Sequence, residues 1–154
     1  MSAHLVLIDA LNLIRRIYAA QERPFVQSKH QLDGELSEKT QQQVLFNTQR
    51  ASVKALDNIL KHQQASHALA VFDSQKPCWR YALYPDYKKG RKKMPSYLAE
   101  QLPNIQDAFL ELGVDSLISE EDEADDLIAT LATKMALDAI QILGGNGYIN
   151  EFPT

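Results

Sequence analysis

The sequence has a single cysteine, Cys78, so no internal disulfide can staple it, and that scarcity fits a reducing compartment. It also lacks any apolar run near the roughly 20 residues that cross a bilayer, so no membrane partner is expected. Leu5 to Ile14 comes nearest to a signal-peptide core. Asp9 and Asn12 interrupt it, however, and Arg15 and Arg16 follow it instead of preceding it, so no export signal is expected and the expected location is cytoplasmic. An overall excess of positive charge is missing too. The net charge is −4, which as an average speaks against a nucleic-acid partner. What remains is a chain of 154 residues, 45% hydrophobic, long enough for one domain with a sizeable core.

The average charge hides an asymmetry. Lys76, Arg80, Lys88, Lys89, Arg91, Lys92 and Lys93 place seven of the sixteen basic residues in one short segment, with Asp86 alone opposing them. Glu120, Glu121, Asp122, Glu123, Asp125 and Asp126 crowd together with no basic residue among them. A basic loop beside an acidic cluster is the pattern expected where phosphates and metal ions are both held.

Hydrophobic patterning predicts strands alternating with helices. His4 to Asp9 reads as a strand, and ALNLIRRIYAAQ after it as a helix. Pro24 to Gln43 is polar and without period, and is expected to be a loop or a loosely packed extension. Val44 to Gln64 repeats apolar residues at helical spacing. His67 to Phe72 reads as the second strand, ending at Asp73 and followed by the basic loop. Pro95 to Leu102 and Pro103 to Leu112 read as a pair of helices stopping at Gly113. Val114 to Ile118 is the third strand, and Glu120 to Met135 a helix with acids in its first turns. The fold class that follows is α/β, a parallel sheet with helices on both faces.

In such a sheet, functional groups gather beyond the carboxyl ends of the strands. Asp9 closes the first strand, Asp73 the second, and Glu123, Asp125 and Asp126 open the helix after the third. Each alone has a plainer role, since acids in the first turn of a helix cap it and favour its dipole. Together at three strand ends they would repel one another unless cations lay between them, and hard oxygen donors suit Mg²⁺ or Mn²⁺. The loop QKPCWRYALYPDYKKGRKKMP interleaves Trp79, Tyr81, Tyr84 and Tyr87 with its cations. Aromatic faces stack on unpaired bases while Lys and Arg hold phosphates, so Arg80, Tyr84, Tyr87, Lys89, Lys92 and Lys93 are candidate DNA-binding residues. The alternative for that loop is a solvated face with aromatics packed beneath it.

Taken in order, HLVLIDALNLIRRIY, HALAVFD, WRYALYPDYKKGRKKMP and EADDLIATLATK resemble the front half of the Xni-type flap endonucleases, which are exonuclease IX-like and related to the 5′-nuclease domain of bacterial DNA polymerase I. The resemblance runs from about His4 to Lys134 and is patchy between Pro24 and Gln43. It implies a PIN-like, resolvase-like 5′-nuclease N-terminal domain over residues 1–134, cutting DNA at flaps or single-stranded 5′ regions by metal-assisted phosphodiester hydrolysis. It implies Asp9, Asp73, Glu123, Asp125 and Asp126 as metal-site carboxylates for Mg²⁺ or Mn²⁺, and Lys88 and Arg91 as the cations on the scissile phosphate. A DNA-binding module that does not cut, and a PIN-like ribonuclease, are the alternatives.

After Lys134 the chain departs from that family's pattern, which would continue into a fourth strand with a Ser-Thr-Asp motif and a glycine-rich helix-three-turn-helix. The domain is therefore expected to be truncated, with 135–154 a non-matching tail and no domain of its own. ALDAIQILGGNGYINEFP in that tail resembles a C-terminal segment of acyl-CoA dehydrogenases, where Gly144, Gly145 and Gly147 would match a Gly-Gly-x-Gly that approaches flavin. A flavin site needs a whole domain around it, so no flavin is expected. A join near Ala132 to Lys134 is expected.

Overall fold

Aliphatic residues dominate three short runs, and each becomes a strand of one parallel sheet: β1 (Leu5–Asp9), β2 (His67–Phe72) and β3 (Asp115–Ile118), in the order β1-β2-β3. The computed structural model describes residues 3–27 and 36–143. Register pairs Asp9 with Val71 and Phe72 with Ile118, so all three carboxyl ends reach the same edge of the sheet. Helices connect the strands: α1 (Ala10–Gln27), α2 (Glu38–His62), the short turn α3 (Arg80–Leu83), α4 (Ser96–Glu111) and α5 (Ala124–Leu143).

Alternation along the strands decides what each face meets. Ile8, Ala70 and Phe72 join a core with Ile14 of α1, Val44 and Leu56 of α2, and Leu98, Leu102, Ile105 and Phe109 of α4. Val71 points the other way, lies outside that cluster, and is still 0% exposed. The helix meeting β1 and β2 from that other side is α5, through the buried Ala124 and the half-buried Leu127, Ile128 and Leu131. The expected sheet with helices on both faces is the observed architecture. Burying a side chain such as Phe72 or Phe109 contributes about 1.5–3 kcal/mol, and the first face holds most such residues.

Several boundaries differ from expectation, for identifiable reasons. The polar stretch from Pro24 is helical at both of its described ends: α1 runs through Pro24 to Gln27, and α2 begins at Glu38. Ser37 starts α2, its hydroxyl accepting from the Thr40 N–H at 3.4 Å. The expected pair of helices either side of Pro103 is one helix, α4, whose packed face of Leu98, Leu102, Ile105 and Phe109 outweighs the N–H that proline lacks. It ends as expected at Gly113, where φ of +81° lets the Val114 N–H donate back to the Phe109 carbonyl at 3.1 Å. Glu120 to Glu123 is a polar turn and not helix, held by Ser119, whose hydroxyl donates to Asp122 at 2.9 Å. The helix that follows continues past Met135 to Leu143, so the expected join near Ala132 to Lys134 falls inside it. The segment with Gly144, Gly145 and Gly147 lies outside the described residues. Among the described residues no helix is long and apolar enough to cross a membrane.

Candidate functional site

The carboxyl edge of the sheet opens into a cavity of about 410 Å³, lined by Asp9, Asp73, Glu123 and Asp125 together with Lys88, Arg91, Tyr87 and, from α1, Asn12, Arg15 and Arg16. Each acid arrives by a different route. Asp9 is the last residue of β1, and its Oδ1 accepts the Asn12 N–H at 3.0 Å, which starts α1. Asp73 follows β2, and its Oδ1 accepts the Ala124 N–H at 2.7 Å. The end of one strand thus caps the helix after another, which fixes the first turn of α5 over the pocket. Asp125 stands exposed in that turn, and its side chain makes no hydrogen bond or ion pair among the described residues.

The acids are not equivalent. Burial, followed by the neighbouring charges of Asp73 and Asp125, holds the Asp9 carboxyl above its usual range. Negative charge that raises the cost of ionising Asp9 is what a bound cation relieves. Burial also pushes Glu123 up, but hydrogen bonds from Lys88 and Tyr87 and the charges of Lys88 and Arg80 outweigh it, leaving Glu123 below the usual range. One Glu123 oxygen takes the Lys88 ammonium, and the other takes the Tyr87 hydroxyl at 2.8 Å and Arg80 at 3.2 Å. Lys88 reaches it from a backbone at φ +58°, in the left-handed region that non-glycine residues rarely adopt.

Asp126 lies away from the cavity. Arg80 grips it with two hydrogen bonds of 2.6 Å, and the same carboxylate accepts the Glu123 N–H at 3.1 Å. Arg80 in turn brings its guanidinium within 4.4 Å of the Trp79 ring centroid. The remaining loop residues divide. Tyr87 faces Glu123 and meets Tyr81 edge to face, whereas Tyr84 is 61% exposed. Lys89 pairs with Asp86 of its own turn, while Arg91, Lys92 and Lys93 are exposed and make no ion pair among the described residues.

Three polar lining residues are not among the candidates the sequence offers: Asn12, Arg15 and Arg16. Asn12 and Arg16 lie four residues apart on one face of α1 just after Asp9, a spacing that points to them. Arg15 also donates to the Lys92 carbonyl at 2.8 Å, tying the basic loop down beside the pocket.

As they stand, no three His, Cys, Asp or Glu side chains among the described residues are close enough to hold one ion directly. The donor set suits a hydrated ion: Mg²⁺ dehydrates reluctantly, keeps several waters and takes one or two carboxylates. Coupled acids around a polar cavity fit that description.

Residues 4–145 match the family described as the 5′-3′ exonuclease N-terminal, resolvase-like domain. The chain is 69% identical over 137 residues to a flap endonuclease Xni of Colwellia psychrerythraea, covering 89% of this chain and 47% of that protein. It is 46% identical over 136 residues to the flap endonuclease Xni of Psychromonas ingrahamii, covering 88% and 47%. The chain therefore spans about half the length of the curated relatives it matches. A crystal structure of the T5 D15 protein, co-crystallised with metal ions, is 18% identical with a TM-score of 0.45, covering 92% of this chain and 44% of that one.

Proposed function

Because the chain belongs to the family of 5′-3′ exonuclease N-terminal, resolvase-like domains, we propose that it is the metal-binding, phosphate-handling part of a 5′-nuclease acting on DNA at flaps or single-stranded 5′ regions. The observation that carries this reading is the meeting of Asp9, Asp73 and Asp125, from three separate stretches of chain, in one cavity with Lys88 and Arg91.

In this reading Asp9, Asp73 and Asp125 hold Mg²⁺ or Mn²⁺, with Glu123 beside them. A bound divalent cation supplies a water of lowered pKa and offsets charge on the phosphate. The chain's own residues do the rest. The Asn12 N–H and the Ala124 N–H orient the Asp9 and Asp73 carboxylates toward that role. Arg91 presents a planar fork to the phosphodiester oxygens, and Lys88 reaches the same phosphate by exchanging its Glu123 partner for it. Lys89, Lys92, Lys93 and Tyr84 hold the strand outside the pocket, phosphates on the cations and a base on the ring. Domain 1–134 carries this work, and 135–154 is a tail with no domain of its own.

The test is a Mg²⁺ titration with a 5′-labelled flap. Asp125 is exposed and has no partner among the described residues, so Asp125→Ala should leave the circular dichroism spectrum and Tm unchanged while lowering metal-dependent cleavage at least about 100-fold. Equal cutting by both proteins sinks the site assignment. Retention of the flap without product marks a binding module, and product from RNA alone marks a ribonuclease.

A further inference from the structure

Arg80 sits in the most basic segment of the chain and Asp126 in its most acidic one, which invites reading them as a phosphate contact and a metal ligand. Their geometry points elsewhere. The two terminal guanidinium nitrogens each donate to one Asp126 oxygen at 2.6 Å, and neither residue lines the cavity. The Arg80 guanidinium also lies 4.4 Å from the Trp79 ring centroid and 5.9 Å from that of Tyr87. A phosphate would have to displace a bidentate, charge-assisted pair to reach it.

We infer that Arg80 is a positioning residue: paired with Asp126, it braces the first turn of α5 so that Glu123 and Asp125 are presented to the pocket. This rests on the reading that the pocket takes a cation. Three further bonds complete the brace, one within the turn that opens α5 and two from the loop to the residues just before it. Asp126 accepts the Glu123 N–H at 3.1 Å, Arg80 meets the Glu123 carboxylate at 3.2 Å, and the Trp79 N–H donates to the Glu121 carbonyl at 3.1 Å. Residues that orient metal ligands without touching the ion typically alter its affinity about 10- to 100-fold. Lysine cannot replace arginine here, because an ammonium offers neither the planar fork nor the stacking face.

The test uses the full chain and three measurements on wild type, Arg80→Lys and Asp126→Asn: Mn²⁺ affinity by calorimetry, binding of a fluorescent oligothymidylate against salt, and amide hydrogen exchange at Glu123 and Ala124. Arg80→Lys should weaken Mn²⁺ about tenfold, and exchange at both amides should quicken, while the salt slope of oligonucleotide binding stays at the wild-type value. Asp126→Asn should reproduce that pattern, and the double variant should be no worse than either single one. A salt slope lowered by about 0.7 with Mn²⁺ affinity intact would make Arg80 a phosphate contact and overturn the brace. Additive losses in the double variant would overturn it as well. If wild type takes no Mn²⁺, the cation reading of the pocket fails, and exchange still decides the brace: rates unchanged in Arg80→Lys overturn it.

Discussion

One basic segment contains two populations of cations. Arg80 and Lys88 are only 26% and 24% exposed in their side chains and are held by Asp126 and Glu123, whereas Arg91, Lys92 and Lys93 stand in solvent without an acidic partner among the described residues. Composition cannot separate them, because a Lys-Lys-Gly-Arg-Lys-Lys run reads as uniformly basic. The fold separates them by where the acids of α5 lie. An inner cation has already exchanged its water for a carboxylate and is costly to detach, while an outer cation can trade condensed counterions for phosphate at little cost.

Substituting one member of each population breaks or sharpens that division. The largest effect is expected from Lys88→Met: cleavage falls about 100-fold, since the phosphate loses a charge at its reacting end, while oligonucleotide affinity measured without metal changes less than twofold. A loss of affinity matching the loss of cleavage would place Lys88 with the outer cations. Arg91 also lines the pocket but has no acidic partner among the described residues, so Arg91→Met should lower binding as well as cleavage. Affinity for single-stranded DNA should fall several-fold, with the slope of log K against log salt reduced by about 0.7, and an unchanged slope would count Arg91 out as a phosphate contact. Lys89 is exposed and paired with Asp86 in its own turn, so Lys89→Met should move affinity less than Arg91→Met does.

The fold was largely legible because its elements announce themselves locally. His67–Phe72 is a run of strand formers bounded by polar residues, and strand and prediction coincide there. Prolines 24 and 103 were read as helix boundaries because proline usually breaks a helix, yet packing around Leu98, Leu102, Ile105 and Phe109 carries α4 through one of them. The acids Glu120 to Glu123 read as a first helical turn because capping turns and first turns select the same residues. Thr48 and Ser52, fully buried on α2, broke the apolar pattern and gave no sign of their burial; the Thr48 hydroxyl is satisfied by donating to the Val44 carbonyl at 2.7 Å. In the site, strand-end position was enough to bring Asp9, Asp73, Glu123 and Asp125 together. What position could not supply was pairing. Nothing local says that Arg80 meets Asp126 across 46 residues of sequence, so a cation and an acid that face each other were each assigned to an outside ligand.

The smallest expected effect concerns pH and follows from the inner pairs alone. Arg80 holds the Asp126 carboxyl down to about 2, below its ordinary 3.8, so folding favours the ionised form. A depressed carboxyl stabilises the fold fully above its unfolded value and loses that contribution as pH falls through the folded one. The window is therefore about pH 4 to pH 2, and the contribution is on the order of 1 kcal/mol after allowing for solvent screening of a partly exposed pair. Asp9 works in the opposite sense, because its raised carboxyl is relieved by protonation as the pH falls. Asp9 and the lowered Glu123 also shape the wild-type acid limb, so the measurement is a difference. The stability of wild type minus that of Asp126→Asn, from urea unfolding, should be constant near neutrality and shrink between pH 4 and pH 2. A difference that stays flat to pH 2 would mean that Arg80 does not hold Asp126 in solution, and the division between inner and outer cations would lose its clearest member.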